Sequence, residues 1–192
     1  LLLLYPNFFS NEYDMKIGLF YGSTTCYTEI ASEKIQTKLN ELFDVPVVEI
    51  FNIKDTPLEN AVDASQGFDY LIFGISTWDF GELQEDWESQ WDDVENLNLN
   101  GKTIALFGLG DQEGYAEWFQ DALGMLHDVC INQGASPIGY WPNGDDYEFI
   151  ASKALTADKS HFVGLALDDE GQYDLTEKRI ADWCEQLLTE MS

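Results

Sequence analysis

The chain alternates short, continuously apolar runs with longer segments whose apolar residues recur at helical spacing. Short apolar runs between turn residues are typical of strands buried on both faces of a sheet. These runs are Lys16–Tyr21, Val45–Phe51, Asp69–Ile75, Thr103–Gly108, Ser136–Trp141 and His161–Leu167. We interpret the last two runs as the two halves of a fifth strand. Helical spacing runs from Ile30 to Leu42, Leu83 to Val94, Ala116 to Asn132 and Thr176 to Met191. The alternation predicts right-handed βαβ units and an open, doubly wound parallel sheet.

A chain of 192 residues has the usual length of one α/β domain, and we expect residues 15–192 to form it. Residues 1–14 are apolar but lack a basic region and a cleavage site. We therefore expect them to be an N-terminal extension outside the fold. Because no segment approaches the eighteen or so apolar residues of a membrane span, we expect a soluble, cytoplasmic protein without membrane association.

Acidic residues dominate the charge of the chain, with 36 Asp and Glu against 9 Lys and Arg and a net charge of −27. This balance excludes nucleic-acid binding, which needs a basic surface. The stretch from Asp55 to Ser152 holds twenty of the acidic residues and a single basic one, Lys102. Two interpretations remain open: adaptation to a salty habitat, and electrostatic steering toward a basic partner.

The potential metal ligands of the chain are few and scattered. The three cysteines are an odd and widely spaced set, so we expect reduced thiols. The cysteines and histidines form no cluster with metal-ligand spacing, so we expect no metal site. These residues are Cys26, Cys130, Cys184, His127 and His161.

Three loops follow predicted strands one, three and four, at the sheet edge where ligands bind in open α/β folds. The first, Gly22–Glu29, places four Ser and Thr hydroxyls before a helix N-terminus, which suits an anion. It lacks the lysine of a P-loop and the GxGxxG of dinucleotide sites, so it predicts a site for one terminal phosphate. A Ser/Thr-rich helix cap without a ligand is the alternative.

The other two loops carry aromatic residues, Trp78 in Ser76–Glu82 and Tyr115 in the glycine-rich Gly108–Tyr115. Each loop alone has an ordinary interpretation, as a tryptophan packed on its own domain or a glycine turn with a surface tyrosine. Together with the first loop, they describe a site for a flat ring that carries one phosphate, because two aromatic side chains can sandwich such a ring. FMN is the obvious ligand.

Two strings around these loops are characteristic, TWDFGELQEDW (Thr77–Trp87) and GDQEGYAEWFQDALGMLHD (Gly110–Asp128). With them the sequence resembles the flavodoxin family from about Lys16 to Met191, and the segment Pro142–Ser160 is similar to the insertion of long-chain members. The resemblance implies a five-stranded parallel sheet in the order 2-1-3-4-5, with helices on both faces and an insertion in strand five. At Thr25–Thr28 the chain departs from the usual Thr-Gly-Asn-Thr and is similar to the flavodoxin-2 subgroup of proteobacteria.

The resemblance also implies roles for individual residues. Trp78 and Tyr115 are expected to cover the two faces of the flavin, while the Asp79 carbonyl accepts the N5 hydrogen and Gly81 eases the necessary peptide flip. Asp111 and its neighbours are expected to bind the pyrimidine edge. The phosphate is expected to lie against Ser23, Thr24, Thr25, Cys26, Tyr27 and Thr28. The remaining expected cofactor-binding residues are Thr77, Gly108, Leu109 and Gly110.

The implied function is that of a low-potential one-electron carrier, which cycles FMN between semiquinone and hydroquinone without catalytic residues of its own. Its expected partners are basic redox proteins, a flavodoxin/ferredoxin NADP reductase-type donor and acceptor enzymes, met transiently by a monomer. Two alternatives remain: an NAD(P)H-dependent quinone or FMN reductase of the same fold, and a non-enzymatic acidic binding module.

Overall fold

The structure is a computed structural model that describes residues 15–191. The predicted extension, residues 1–14, lies outside the described residues, and the assignment of residues 15–192 to one domain stays a prediction. The strands are β1 (Ile17–Tyr21), β2 (Val48–Asn52), β3 (Tyr70–Trp78), β4 (Glu82–Leu83), β5 (Thr103–Leu109), β6 (Ser136–Ile138), β7 (Trp141–Pro142), β8 (His161–Phe162) and β9 (Leu165–Leu167). The helices are α1 (Tyr27–Phe43), α2 (Glu85–Ser89), α3 (Trp91–Asn96), α4 (Asp121–Asn132) and α5 (Tyr173–Glu190), with a short 3-10 turn at Leu58–Ala61.

The central sheet has the strand order β2-β1-β3-β5-β6, and all of these neighbours are parallel. The first part of β5 pairs with β6, with Thr103 opposite Ser136, and its last part pairs with β9, with Phe107 opposite Leu165. Thus β6 and β9 together form the fifth strand, interrupted by the insertion. The expected order 2-1-3-4-5 with an insertion in strand five is confirmed.

The predicted halves of the fifth strand are both too long. The strand β6 ends at Ile138 because Gly139 has a φ of 76° and its carbonyl accepts a hydrogen bond from Trp183 Nε1 at 2.8 Å. Beyond this bend, β7 pairs with β8 in a separate antiparallel hairpin. Of the predicted strand at residues 161–167, only β9 rejoins the central sheet.

Two predicted helices also differ from the structure, in both cases at a glutamine. The helix expected from Leu83 to Val94 divides into α2 and α3 at Gln90, whose Nε2 donates to the Ile53 carbonyl at 2.6 Å. The helix expected from Ala116 begins only at Asp121, because Gln120 has a φ of 63° and its Nε2 donates to the Gly108 and Leu167 carbonyls. Helical spacing carries no information about such side-chain-to-backbone bonds.

The sheet is buried on both faces. Alternate residues of β3 point to opposite sides, with Phe73 packed toward α2, α3 and α4, and Ile72 packed toward α1 and α5. The largest side chains of the two cores include Trp87 on the first side and Trp183 on the second, both fully buried. Because helices cover both faces, the carboxyl edge is left as the natural place for a ligand. No helix in the described part of the chain is long and apolar enough to cross a membrane.

Candidate functional site

An open cleft of about 230 Å³ lies at the carboxyl edge of the sheet, where the loops after β1, β3, β5 and β9 meet. Nine of the predicted site residues line it: Thr25, Tyr27, Thr77, Trp78, Asp79, Leu109, Gly110, Asp111 and Tyr115. Three lining residues were not predicted: Ser76, Asp169 and Glu170. The last two belong to the loop after β9, whose place at this edge follows from the topology once the second half of strand five is recognised.

The first loop ends where α1 begins. Thr25 and Tyr27 line the cleft, whereas Ser23, Thr24, Cys26 and Thr28 lie in the same segment but outside the lining. Thr28 is buried, and its hydroxyl lies 3.1 Å from the Ser76 hydroxyl, which ties the first turn of α1 to the end of β3. The Thr24 hydroxyl accepts from Gln84 Nε2 at 3.0 Å, so this loop is also held against the segment that precedes α2.

Cys26 is the N-cap of α1 and adopts a left-handed conformation, with a φ of 69° and no hydrogen bond from its side chain to the helix. This is the position where the usual family pattern has glycine, the residue that adopts a positive φ without strain. The loop therefore keeps a conformation that glycine favours, although it carries a Cβ atom. A cysteine in this region costs about 1–2 kcal/mol.

The N-terminus of α1 is the main anion-attracting feature of the cleft. The first hydrogen bond within this helix is donated by Ile30 N to the Cys26 carbonyl at 2.9 Å. The backbone N–H groups that precede Ile30 have no carbonyl partner within the helix, so they are available to bind an anion at its N-terminus. Glu29 is in the first turn, but its carboxylate accepts from the Tyr21 hydroxyl at 3.2 Å. Burial and the charge of Glu29 raise the pKa of Tyr21 to about 12, so the hydroxyl keeps its proton at neutral pH.

The second loop is a tight turn between β3 and β4. It is closed by a hydrogen bond from Gly81 N to the Trp78 carbonyl at 3.1 Å, with positive φ values of 42° at Asp79 and 89° at Gly81. A Cβ atom on Gly81 would lie 2.9 Å from Asp121 Oδ2. Both the backbone conformation and the packing around this position therefore favour glycine. Thr77 anchors the loop to α4, since its hydroxyl accepts from Ala122 N at 3.0 Å.

The third loop is closed by its own aspartate. Asp111 Oδ1 accepts from Glu113 N at 3.1 Å and from Gly114 N at 2.7 Å. The side chain of Asp111 thus shapes the loop, and the backbone of Leu109–Asp111 borders the cleft. Gly108 lies behind this wall, where a Cβ atom would be 2.1 Å from Gln120 Oε1. Packing inside the fold accounts for this glycine.

Aromatic side chains surround the mouth of the cleft. Trp78 is half-buried and Tyr115 partly exposed, and both line it. Phe80 is 67% exposed, with its ring centroid 6.2 Å from that of Tyr115 and 5.1 Å from that of Trp118. Phe80 was not among the predicted site residues, although it lies in the same loop as Trp78. The rings of Phe80, Tyr115 and Trp118 therefore form a small aromatic surface beside the cleft.

The charged residues that line the cleft are all acidic: Asp79, Asp111, Asp169 and Glu170. Burial raises the pKa of Asp169, and the nearby Asp168 adds to the increase, whereas the Thr176 hydroxyl and Lys34 oppose it. Any anion bound here must therefore be held by N–H groups, hydroxyls and the helix end, without a lysine or arginine in the lining.

The three cysteines are free thiols, and they differ in environment. Burial raises the pKa of both Cys130 and Cys184 to about 12, whereas Cys26 is exposed beside the cleft. Among residues 15–191, no group of three or more His, Cys, Asp or Glu side chains could hold a metal ion.

Comparisons with known proteins agree on one family. The family model described as flavodoxin matches residues 19–183. The chain is 53% identical over 178 residues to flavodoxin 2 of Escherichia coli strain K12, covering 93% of this chain and 98% of that protein. It is 43% identical to a flavodoxin of Synechococcus elongatus, covering 91% of this chain and 97% of that protein. A crystal structure of Fusobacterium nucleatum flavodoxin bound to flavin mononucleotide is similar with a TM-score of 0.78 and 30% identity, covering 91% of this chain and 98% of that chain.

Replacing Cys26 with glycine tests the strain in the first loop. We expect Cys26→Gly to raise the free energy of unfolding of the ligand-free protein by about 0.5–1 kcal/mol, because relief of the left-handed strain exceeds the entropy that glycine adds to the unfolded chain. Urea unfolding measures the change. The control Cys26→Ala also removes the thiol but keeps Cβ, and should give no gain. Equal free energies of unfolding for the two variants would contradict the claim that Cys26 strains the loop.

Proposed function

Because the chain belongs to the flavodoxin family, we propose that it binds FMN non-covalently in the cleft and transfers electrons one at a time between partner proteins. Members of this family are electron-transfer proteins and not enzymes. The observation that carries the proposal is the convergence of Trp78, Tyr115 and the N-terminus of α1 on one cleft. This combination offers an aromatic surface for a flat ring and N–H donors for a phosphate.

At the phosphate end, the segment Ser23–Thr28 would hold the anion. Thr25 and Tyr27 line the cleft, and the backbone N–H groups at the start of α1 point away from the helix body. Since the lining contains no basic side chain, neutral donors and the helix dipole would supply the attraction. The hydrogen bond between the Thr28 and Ser76 hydroxyls would fix the position of the phosphate-binding segment relative to β3.

At the ring end, Trp78 and Tyr115 would lie against the two faces of the flavin and exclude water from it. The turn Trp78–Gly81 would present the Asp79 carbonyl to the hydrogen at N5. Because Gly81 has no Cβ atom, it can adopt other φ values than the observed 89° and would allow the turn to change its peptide orientation. The backbone of Leu109–Asp111, held in place by the Asp111 side chain, would bind the pyrimidine edge.

When bound, FMN supplies a ring that takes up two electrons in separate steps. The residues of the cleft would set how readily each step occurs. Four carboxylates line the cleft, and we assign to them a repulsion that disfavours further negative charge in a site with little water. A low potential for the second electron follows from this arrangement.

The two other candidate functions receive less support. A reductase that oxidises NAD(P)H needs room for a second ring above the flavin, and in our proposal Trp78 and Tyr115 close both faces. A binding module without a cofactor would purify colourless, whereas an FMN protein is yellow. The family relationship favours neither of these alternatives.

We assign the partners to the class of basic redox proteins, a reductase-type donor and acceptor enzymes, met briefly by a monomer in the cytoplasm. The acids Asp79, Glu113 and Glu117 are exposed around the mouth of the cleft, beside the exposed ring of Phe80. Complementary charge of this kind accelerates encounter more than it strengthens the complex. We assign to the exposed ring of Phe80, which is surrounded by these acidic residues, a short-lived contact with the partner protein.

Replacing the two aromatic residues tests the cofactor site. We expect Trp78→Ala and Tyr115→Ala each to raise the dissociation constant for FMN about tenfold, the effect of about 1.4 kcal/mol of lost stacking. Quenching of flavin fluorescence measures it. Tyr173→Ala, which removes an exposed tyrosine on α5, is the control and should bind like the wild type. Failure of the wild-type protein to bind FMN would reject the proposal.

The salt dependence of electron transfer tests the partner class. With a basic flavin reductase as donor, we expect the rate to fall steeply as ionic strength rises, because salt screens long-range attraction. Glu113→Gln, near the cleft, should reduce the rate at low salt. Glu41→Gln makes the same charge change near the far end of α1 and should have little effect. A rate independent of salt would contradict steering.

A further inference from the structure

Asp168 is a fully buried carboxylate directly after β9, just behind the wall of the cleft. Its Oδ2 atom accepts from Gln112 N at 3.2 Å and from Gln112 Nε2 at 2.8 Å. Its Oδ1 atom accepts from Glu170 N at 3.2 Å and from Gly171 N at 2.8 Å. One carboxylate thus receives four N–H groups, two on each oxygen.

These four donors come from two different loops of the cleft. Gln112 follows Asp111, which lines the cleft in the loop after β5, and Glu170 lines the cleft in the loop after β9. Asp168 therefore connects two walls that otherwise belong to separate parts of the chain. Gln112 extends the connection to the insertion, since its Oε1 accepts from Glu148 N at 2.6 Å.

The connection requires a carboxylate. Asparagine has nearly the same shape, but one of its two terminal groups is a donor, so it can serve the N–H groups of only one loop. The other loop would face an NH₂ group and lose both hydrogen bonds. Hydrogen bonds to a buried charge are stronger than neutral ones and costly to remove. Among residues 15–191, no basic side chain forms a salt bridge with Asp168, and its carboxylate is held by the four N–H groups.

We propose that Asp168 is a positioning residue of the flavin site: it fixes the loop after β5 relative to the loop after β9 and places a carboxylate behind the cleft wall. This inference rests on the proposed function. It assigns Asp168 two effects on bound FMN. Because Asp168 already holds the two loops in place, they need not become ordered when FMN binds, which raises the affinity for FMN. The negative charge of the carboxylate behind the cleft wall lowers the potential at which FMN accepts the second electron.

The variant Asp168→Asn tests both effects. We expect its dissociation constant for FMN to increase at least tenfold, and its potential for the second electron to shift to a less negative value. Fluorescence titration and reductive titration of the FMN-bound protein measure them. A residue that only stabilises the fold would lower the stability of the ligand-free protein without shifting the potential. Wild-type affinity and potential in folded Asp168→Asn would overturn the inference.

Asp158→Asn is the matched control. Asp158 Oδ1 accepts from Thr156 Oγ1, Ser160 N and Ser160 Oγ, but it lies exposed in the insertion and does not line the cleft. Like Asp168→Asn, the substitution Asp158→Asn removes one negative charge and weakens a turn that is held by an aspartate side chain. We expect its FMN affinity and its potential to equal those of the wild type. Changes equal to those of Asp168→Asn would show a general charge effect and overturn the positioning role.

If circular dichroism shows Asp168→Asn to be unfolded, Gln112→Met replaces it as the test. Methionine keeps the length of the side chain and the backbone N–H bond to Asp168 Oδ2, but it removes the second donor to that oxygen, Gln112 Nε2. It also removes the Oε1 acceptor of Glu148 N, so this variant loosens the connection to the insertion as well. We expect FMN affinity to fall several-fold in this variant, and unchanged affinity would overturn the inference. Absence of FMN binding by the wild-type protein would instead reject the proposed function, so the two failures are distinguishable.

Discussion

The cleft depends on one constraint, the parallel sheet buried on both faces by helices. Because the strands are parallel, their carboxyl ends lie at the same edge, and because helices cover both faces, this edge is where the loops can form a cleft. Four loops from positions as distant as Thr25 and Glu170 therefore meet at one place. The residues that close the cleft are held by hydrogen bonds to this framework, as Gly110 N is to the Leu167 carbonyl at 3.0 Å.

The cleft combines two opposing electrostatic features. The N-terminus of α1 attracts an anion, while the charged side chains of the lining are all acidic. In the proposed function this opposition has a use, because the helix end holds the phosphate and the carboxylates oppose the gain of negative charge by the ring. In the proposed function, the acidic character of the chain, with a net charge of −27, therefore affects the cofactor as well as the partners.

The order of strands and helices could be predicted from the sequence, because burial on two faces leaves a clear pattern of apolar runs. The predicted helix bounds were wrong where a polar side chain donates a hydrogen bond to a distant backbone group, as Gln90 does to Ile53 and Gln120 does to Gly108. Such bonds depend on tertiary contacts and leave no periodic signal. The loop after β9 was missed for a related reason: the insertion separates it from the first half of its strand.

The most direct measurement of the central claim is amide hydrogen exchange of the protein with and without FMN. Slower exchange on adding FMN is predicted at the start of α1 and in the loops after β3, β5 and β9, with little change at the opposite edge of the sheet. Such protection would match a ligand held by all four loops. Unchanged exchange at the start of α1, or protection confined to another surface, would contradict the account.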